Sequence, residues 1–404
     1  MKVIQINALG ATLSTGRTTR EMHDYFQNHE IESYIATACN KDCKDAYAIS
    51  TMNGMHIDTM LTLLDGLELY HSHIQTRRFL KYLDIIQPDI VHLRVLHQSF
   101  INIGMLLQYL AEKNIPTVIT LHDLWFITGK CCYYHNYPCD KWKTGCHHCV
   151  AMKDDPRHRL FDRTSKMWTD KKKWLNAIPK LAVIGNSDWT TQQAQKSFLQ
   201  KTTIIERIYN WIDLDVFQPR DRDTCRKKHG LPIDKKLILG VSASWTMGDR
   251  KGFDGYLRLA EILPEEYCIV LIGNISSEIV LPENIIAMGR TNSTDMLVDC
   301  YSAADVYLNL SKGETFGKVS AEALACGTPV IGYNNTANPE MVPPNGGVVI
   351  DSVEPNAIME ALAQVFSKSK EDYQGICVSY AHSLFDMQTN IEKYIDVYKR
   401  LLFT

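Results

Sequence analysis

Short apolar, β-branched runs alternate with longer segments in which apolar residues recur every three to four positions, almost from end to end of the chain. Such alternation predicts parallel strands joined by crossover helices, because a strand buried on both faces reads as a nearly continuous apolar run while the covering helix is apolar on one face only. In the first half, strands are predicted at Val3–Asn7, Ser33–Thr37, Asp89–Leu93, Thr117–Leu121 and Leu181–Gly185, with helices in most of the gaps. The second half repeats the pattern in LILGVS, CIVLIG, IIAMG, DVYLNL, TPVIGY and GGVVI, with helices expected to begin near Gly252, Ser293, Thr315 and Glu354. Between the halves, Arg207–Asp221 passes from strand-like residues into a polar stretch containing Pro219, and an interdomain linker is expected there. After Asp386, Ile391, Tyr394, Ile395, Tyr398, Leu401 and Leu402 follow a helical spacing and predict a closing helix. The fold class expected is therefore α/β, with two doubly wound domains at residues 1–208 and 209–385 and a closing helix at 386–404.

A chain of 404 residues suits two cores of about 200 residues each. Its 45% hydrophobic and 22% charged content is that of a folded globular protein. A net charge of −3 offers no general attraction for nucleic acid, so no nucleic-acid partner is expected. The start MKVIQINALG lacks the form of a signal peptide, and no apolar run approaches the roughly 20 residues of a membrane span, so a cytoplasmic location is expected. Arg163–Lys180 mixes cations with two Trp residues; it reads either as a segment lying against a membrane surface or as a solvated helix face.

The most informative stretch is Ser311–Tyr333, SKGETFGKVSAEALACGTPVIGY, between two predicted strands. Glu314 is expected at the mouth of a helix and Glu322 two turns inside it, about 12 Å apart along the axis at the helical rise. Amides of Thr315, Phe316, Gly317 and Lys318 at that helix start would suit a diphosphate, with a carboxylate on either side to accept hydrogen bonds from sugar or ribose hydroxyls. An ordinary βαβ unit with incidental glutamates is the alternative. Upstream, VSASWTMGDRKGFDGY places Arg250, Lys251 and Gly252 after a strand, two cations and a glycine suited to a pyrophosphate. Near the N-terminus, ALGATLSTGRTTREM carries Gly10, Gly16 and Arg17, and matches neither a P-loop nor a dinucleotide fingerprint. His122 and Asp123, after the strand TVITL, form a candidate proton-transfer pair.

ETFGKVSAEALACGTPVIG resembles the paired-glutamate signature of the retaining glycosyltransferases of family 4, and DRKGF resembles that family's phosphate-binding loop. The similarity extends to NWIDLDVFQP, which resembles the segment opening the second domain. The resemblance implies a GT-B fold, with two Rossmann-like domains facing a central cleft and the C-terminal helix crossing back to the N-terminal domain. It assigns Glu314 to donor-sugar hydroxyls, Glu322 to the ribose, and Lys251 with Arg250 to the diphosphate leaving group. It places His122 near the donor sugar and the Gly16–Arg17 loop at the cleft. Many relatives carry Gly-Arg shortly before the Lys-Gly pair; this chain has Ala243-Ser244-Trp245, and Arg250 is the candidate replacement. The implied reaction moves a sugar from a UDP- or GDP-sugar to a hydroxyl of a saccharide or lipid-linked acceptor, with retention and without a catalytic cofactor. A sugar-nucleotide sensor without turnover and a nicotinamide-dependent oxidoreductase are the alternatives; the missing GxGxxG counts against the latter.

Five of the twelve cysteines fall between Cys131 and Cys149, inside an insertion spanning 129–150. TLHDLWFITGKCCYYHNYPCDKWKTGCHHC resembles a Cys-rich subgroup of the family that builds capsular and exopolysaccharide repeats, which implies work at the inner face of the cytoplasmic membrane and peripheral contact with it. In a reducing compartment such a cluster points to metal, and Cys131, Cys139, Cys146 and Cys149 are the candidate ligands of a structural zinc, with His135, His147 and His148 as substitutes. Packed reduced thiols and two disulfides are the other readings.

Overall fold

The computed structural model describes residues 1–134, 137, 139–153, 161–291 and 293–403. The chain divides into two compact units, Met1–Ile208 together with Ile391–Thr404, and Tyr209–Asn390. The first contains β1 (Lys2–Asn7), α1 (Leu13–Asn28), β2 (Glu32–Thr37), β3 (Tyr47–Ala48), α2 (Met52–Asp65), α3 (His73–Ile86), β4 (Ile90–Leu93), α4 (Ile103–Glu112), β5 (Thr117–Leu121), α5 (Thr164–Asn176), β6 (Leu181–Gly185), α6 (Asp188–Lys196) and β7 (Ile204–Arg207). The second contains α7 (Arg222–His229), β8 (Lys236–Trp245), α8 (Phe253–Ala260), β9 (Tyr267–Ile275), β10 (Ile285–Gly289), α9 (Thr294–Ala303), β11 (Val306–Asn309), α10 (Lys318–Ala325), β12 (Val330–Tyr333), β13 (Gly347–Ile350), α11 (Pro355–Val365) and α12 (Lys370–Phe385). Last comes α13 (Met387–Phe403).

Both sheets are parallel, in the orders β3-β2-β1-β4-β5-β6-β7 and β10-β9-β8-β11-β12-β13. Each unit first builds outward from its first strand and then returns to that strand's other side, leaving a switch point at β1/β4 and at β8/β11. In such sheets the connecting loops splay apart at the carboxyl ends of the strands beside the switch point, and ligands bind there.

The central strands β4, β5 and β6 are buried along their whole length, which is why they read as apolar runs. Two edge strands, β3 and β7, escaped the sequence pattern because they are short and carry no fully buried residue. The helix expected from Thr315 begins instead at Lys318, since Gly317 takes a left-handed φ of 92° just before it. Among the described residues, no helix is long and apolar enough to cross a membrane. The segment read as a membrane-facing or solvated helix is α5, and its aromatic face turns inward. Trp168 is buried and donates through Nε1 to the Trp142 carbonyl at 2.8 Å, while the buried Lys171 ammonium donates to the Trp125 carbonyl at 2.5 Å.

From Ile391 onward α13 belongs to the first unit. Its Tyr398 hydroxyl lies 2.7 Å from His92 Nδ1, His92 Nε2 lies 2.8 Å from Thr120 Oγ1, and Thr120 Oγ1 lies 2.9 Å from the Tyr394 hydroxyl. Burial, reinforced by the nearby Arg94 guanidinium, holds His92 well below its ordinary pKa. A neutral imidazole has one donor and one acceptor nitrogen, the pair that two hydroxyls can satisfy. At the exposed end Arg400 grips Glu206 of β7 through two bonds of 2.6 Å. Replacing Tyr398 by Phe should therefore leave a buried imidazole nitrogen unpaired and lower stability by about 1–3 kcal/mol. Denaturant unfolding of the full chain checks this, and an unchanged midpoint would contradict it.

Candidate active site

The second unit's switch point is closed over by two loops. The first follows β8 and ends at Gly252, whose φ of 80° and tight seat serve the turn into α8: a side-chain carbon there would lie 2.5 Å from the Leu310 carbonyl oxygen. The second follows β11 and ends at Gly317. The loops are tied together by the Lys312 amide donating to the Arg250 carbonyl at 2.7 Å and by Arg250 Nη1 donating to the Gly313 carbonyl at 3.1 Å. Across this seam Lys251 Nζ and Glu314 Oε1 form a close ion pair, with the side chains 25% and 16% exposed. Burial pushes the Glu314 carboxyl up, but Lys251 and Arg250 outweigh it and hold the group below its ordinary pKa. Arg250, Lys251 and Glu314, chosen from sequence, are thus brought to one place.

Glu322 lies within α10 and is 4% exposed, its Oε2 accepting the Tyr301 hydroxyl at 3.0 Å. Glu314 sits in the preceding loop, so the expected separation of two glutamates along one helix axis does not describe them. Thr315 and Phe316 also precede the helix, and the Phe316 ring packs edge-on to Phe385 and tilted against Tyr209. Lys318 is the first residue of α10. Sequence reasoning missed the polar residues that brace these loops. Asn309 donates to Ser320 and Asn338, Asn338 donates to the Ser311 carbonyl at 2.8 Å, and the Glu314 amide donates to Thr336 Oγ1 at 2.8 Å. Asn309, ending a buried apolar strand, was the visible signal.

In the first unit, Gly16 is buried inside α1 and Arg17 is exposed there; neither lies in a loop. The loop proper is Leu9–Thr12, and it already holds an anion. Gly10, Ala11 and Thr12 amides and the Thr12 hydroxyl all donate to the Asp42 carboxylate at 2.8–3.3 Å. Burial pushes the Asp42 carboxyl up, but these hydrogen bonds prevail and hold it below its ordinary pKa.

His122 is 8% exposed and takes a hydrogen bond on Nε2 from Arg94 Nε at 3.3 Å. Burial and the Arg94 charge hold its pKa well below the ordinary histidine value, so the ring is neutral at pH 7 with its proton on Nδ1. Arg94, fully buried, also donates to Gln5 Oε1 at 2.9 Å and Thr18 Oγ1 at 2.7 Å, joining the His122 turn to α1. Asp123 is not the proton partner of His122. It pairs with His97, Nε2 to Oδ2 at 2.6 Å, and its other oxygen accepts the Trp125 amide at 2.8 Å. Burial opposes charge on His97, yet Asp123, with Cys132, holds its pKa well above the ordinary value. His97 Nε2, an Asp123 carboxylate oxygen and Cys132 Sγ are the one set of three metal-ligand-type atoms mutually within 4.8 Å among the described residues. The direct His97–Asp123 bond already occupies the space between two of them. Cys131, Cys139, Cys146 and Cys149 line a separate cavity with His147, and His135 lies outside the described residues.

Structural likenesses extend over whole chains. The chain superposes on sucrose-phosphate synthase of Thermosynechococcus elongatus with a TM-score of 0.69 at 16% identity, covering 99% of this chain and 98% of that one. It superposes on Anabaena HepE in complex with UDP-glucose with a TM-score of 0.65 at 14% identity, covering 99% and 100%. Two doubly wound units built on these lines are the GT-B architecture. Residues 15–216 match the model described as Glycosyltransferase Family 4, and 221–380 match Glycosyl transferases group 1. The chain belongs to Glycosyltransferase Family 4. It is 28% identical over 212 residues to a D-inositol 3-phosphate glycosyltransferase of Mycolicibacterium gilvum, covering 49% of this chain and 47% of that protein. Against the Mycolicibacterium smegmatis protein of that name it is 31% identical over 161 residues, covering 37% and 36%. The chain thus spans about half the length, or less, of these relatives.

The Glu314 carboxyl sets a pH dependence. Because its folded pKa lies below its unfolded value of about 4.3, its pairing stabilises the protein above that value, and the stabilisation is lost as pH falls through the folded pKa. The stability difference between the native chain and Glu314→Gln, followed by tryptophan fluorescence in denaturant, should be steady near neutrality and shrink in acid. A difference that grows in acid would contradict the pairing.

Proposed function

We propose that the protein transfers a sugar from a nucleoside-diphosphate sugar to a hydroxyl of a saccharide or lipid-linked acceptor, with retention of anomeric configuration. The observation that supports this most is the convergence of Lys251, Arg250 and Glu314 at the carboxyl ends of β8 and β11, beside the start of α10. When the bond from the anomeric carbon to the diphosphate breaks, negative charge develops on the leaving diphosphate. Lys251, Arg250 and the amides entering α10 at Gly317 and Lys318 would stabilise it, as groups oriented before the reaction begins. Glu314 takes sugar hydroxyls, and Glu322, steadied by Tyr301, takes the ribose. In the first unit His122, uncharged, is available as a neutral hydrogen-bonding group. The proposed donor is a UDP- or GDP-sugar. Polysaccharide assembly, of capsule or exopolysaccharide, is the proposed setting, at the cytoplasmic face of the membrane.

A thermal-shift series with UDP-, GDP- and ADP-sugars identifies the donor, since a ligand at 100 times its Kd stabilises by about 2.7 kcal/mol. Release of nucleoside diphosphate on addition of saccharide acceptors then tests turnover; stabilisation without release under any acceptor would mark a sensor. Glu322→Ala should weaken free nucleoside diphosphate about 10- to 100-fold, the range of one hydrogen bond to a charged group. Glu314→Ala should cut turnover while leaving diphosphate affinity equal or higher, because Lys251 is then released from its carboxylate. Equal losses of diphosphate affinity in both variants would contradict this division of roles.

Peripheral membrane contact is proposed through α2 rather than α5. Ile57, Met60 and Leu64 of α2 are 58%, 65% and 58% exposed, and Arg77, Arg78 and Lys81 of the neighbouring α3 are exposed as well. Exposed apolar side chains at helical spacing suit insertion into the interface of a bilayer, and exposed cations nearby in the chain favour one rich in anionic lipid. Co-sedimentation with phosphatidylglycerol-containing vesicles should fall sharply in a Met60→Glu, Leu64→Glu variant. Undiminished binding would rule out this face.

A further inference from the structure

Residues 122–163 connect β5 to α5, and their described part contains no strand or α-helix, only 3₁₀ turns, among them Trp125–Ile127 and Lys141–Lys143. Long connections without secondary structure of their own are uncommon in compact domains. Trp142 supplies part of a core: it is buried, stacks on Tyr134 with ring centroids 4.8 Å apart, and its carbonyl receives Trp168 Nε1. Beside it, Cys131, Cys139, Cys146 and Cys149 all line one cavity of about 20 Å³. A single water-sized sphere needs at least about 10–15 Å³ by this measure, so the cavity has room for one small occupant.

We propose that this cavity is a structural zinc site, with Cys131, Cys139, Cys146 and Cys149 as its four ligands. The wall has the right chemistry. All four cysteines are free thiols, and four thiolates are the ligand set of closed, tetrahedral zinc centres. Cys146 and Cys149 stand in the Cys-x-x-Cys spacing that places two sulfurs on one metal. The seven residues between Cys131 and Cys139 exceed the usual gap of about two to four. Cys131 and Cys139 nevertheless reach the same cavity, so the longer connection does not part them. Support from outside the ligand set is present too. The Gly129 amide donates to Cys146 Sγ at 3.2 Å, a bond that orients a ligand sulfur, and a side-chain carbon at Gly129 would meet Cys146 Cβ at 3.0 Å.

Zinc held by four thiolates keeps an excess of negative charge, which is unfavourable in a buried place unless cations lie near. Lys130 and Lys171 are both buried here, their ammonium groups donating to the Ala151 and Trp125 carbonyls. No three of the four sulfurs lie mutually within 4.8 Å, so metal binding would draw them inward, and the cavity is the space that closes. Each thiol releases its proton as it binds. The neighbouring Cys132 stands apart: its Sγ lies 3.6 Å from His97 Nε2, and it does not line the cavity.

The site is independent of the proposed reaction, and so is its test. The full chain, expressed with zinc and purified without chelator under reducing conditions, should hold about one zinc per chain by elemental analysis. Cys132→Ser should retain that zinc, whereas Cys139→Ser and Cys149→Ser should lose most of it. If those variants fail to fold, cobalt exchanged into the native chain decides the matter, through intense thiolate-to-cobalt charge-transfer bands and the visible bands of a tetrahedral ion. Zinc in only a small minority of chains with all thiols reduced, a mass deficit showing disulfides, cobalt spectra without thiolate bands, or equal zinc loss in Cys132→Ser would each overturn the proposal.

Discussion

A parallel strand can be re-entered only from the end where its neighbour began, so every connection in these two sheets must travel back along the outside. That constraint gathers the loops that leave the strands at the carboxyl ends of each sheet and the loops that enter them at the amino ends. In the second unit it puts the loops after β8 and β11 side by side although more than fifty residues of chain separate them. Lys251 and Glu314 meet because of it. A lysine and a glutamate with that separation in sequence have no local reason to pair, and the pair in turn holds both loops in register.

The first unit solves the same geometry with a buried cation instead of an ion pair. Arg94 follows β4, next to the switch point, and spreads its three nitrogens over Gln5, Thr18 and His122, which come from β1, α1 and the turn after β5. A guanidinium suits this place because its planar fork serves several acceptors at once, and a buried arginine keeps its proton. The His122 ring is thereby fixed in one tautomer and one orientation.

Strands such as Thr117–Leu121 and Leu181–Gly185 were legible because burial on both faces leaves an unbroken apolar run, and the closing helix because Ile391, Tyr394 and Tyr398 keep helical spacing. Arg250, Lys251 and Glu314 were legible because their motifs are contiguous. What escaped was set by tertiary partners. Gly317 delays α10 by adopting a left-handed turn, Gly16 falls inside a helix although it reads as loop, and Asp123 finds His97 rather than His122. None of these follows from a residue's own neighbours in sequence. The Asp42 carboxylate in the Gly10–Thr12 amides belongs to the same class, since it comes from a different connection on the far side of β2.

The closing helix also bears on how the protein is made. Chains emerge from the ribosome N-terminus first, and domains tend to fold as they appear. Here Tyr394 and Tyr398, which satisfy Thr120 and His92 in the middle of the first sheet, emerge only after all of Tyr209–Asn390. The second unit has every one of its strands in hand at that point, while the first, though begun earlier, still has a buried imidazole waiting for its hydroxyl. Order of synthesis and order of completion are therefore reversed, and the nascent first unit is the part that would look to a chaperone.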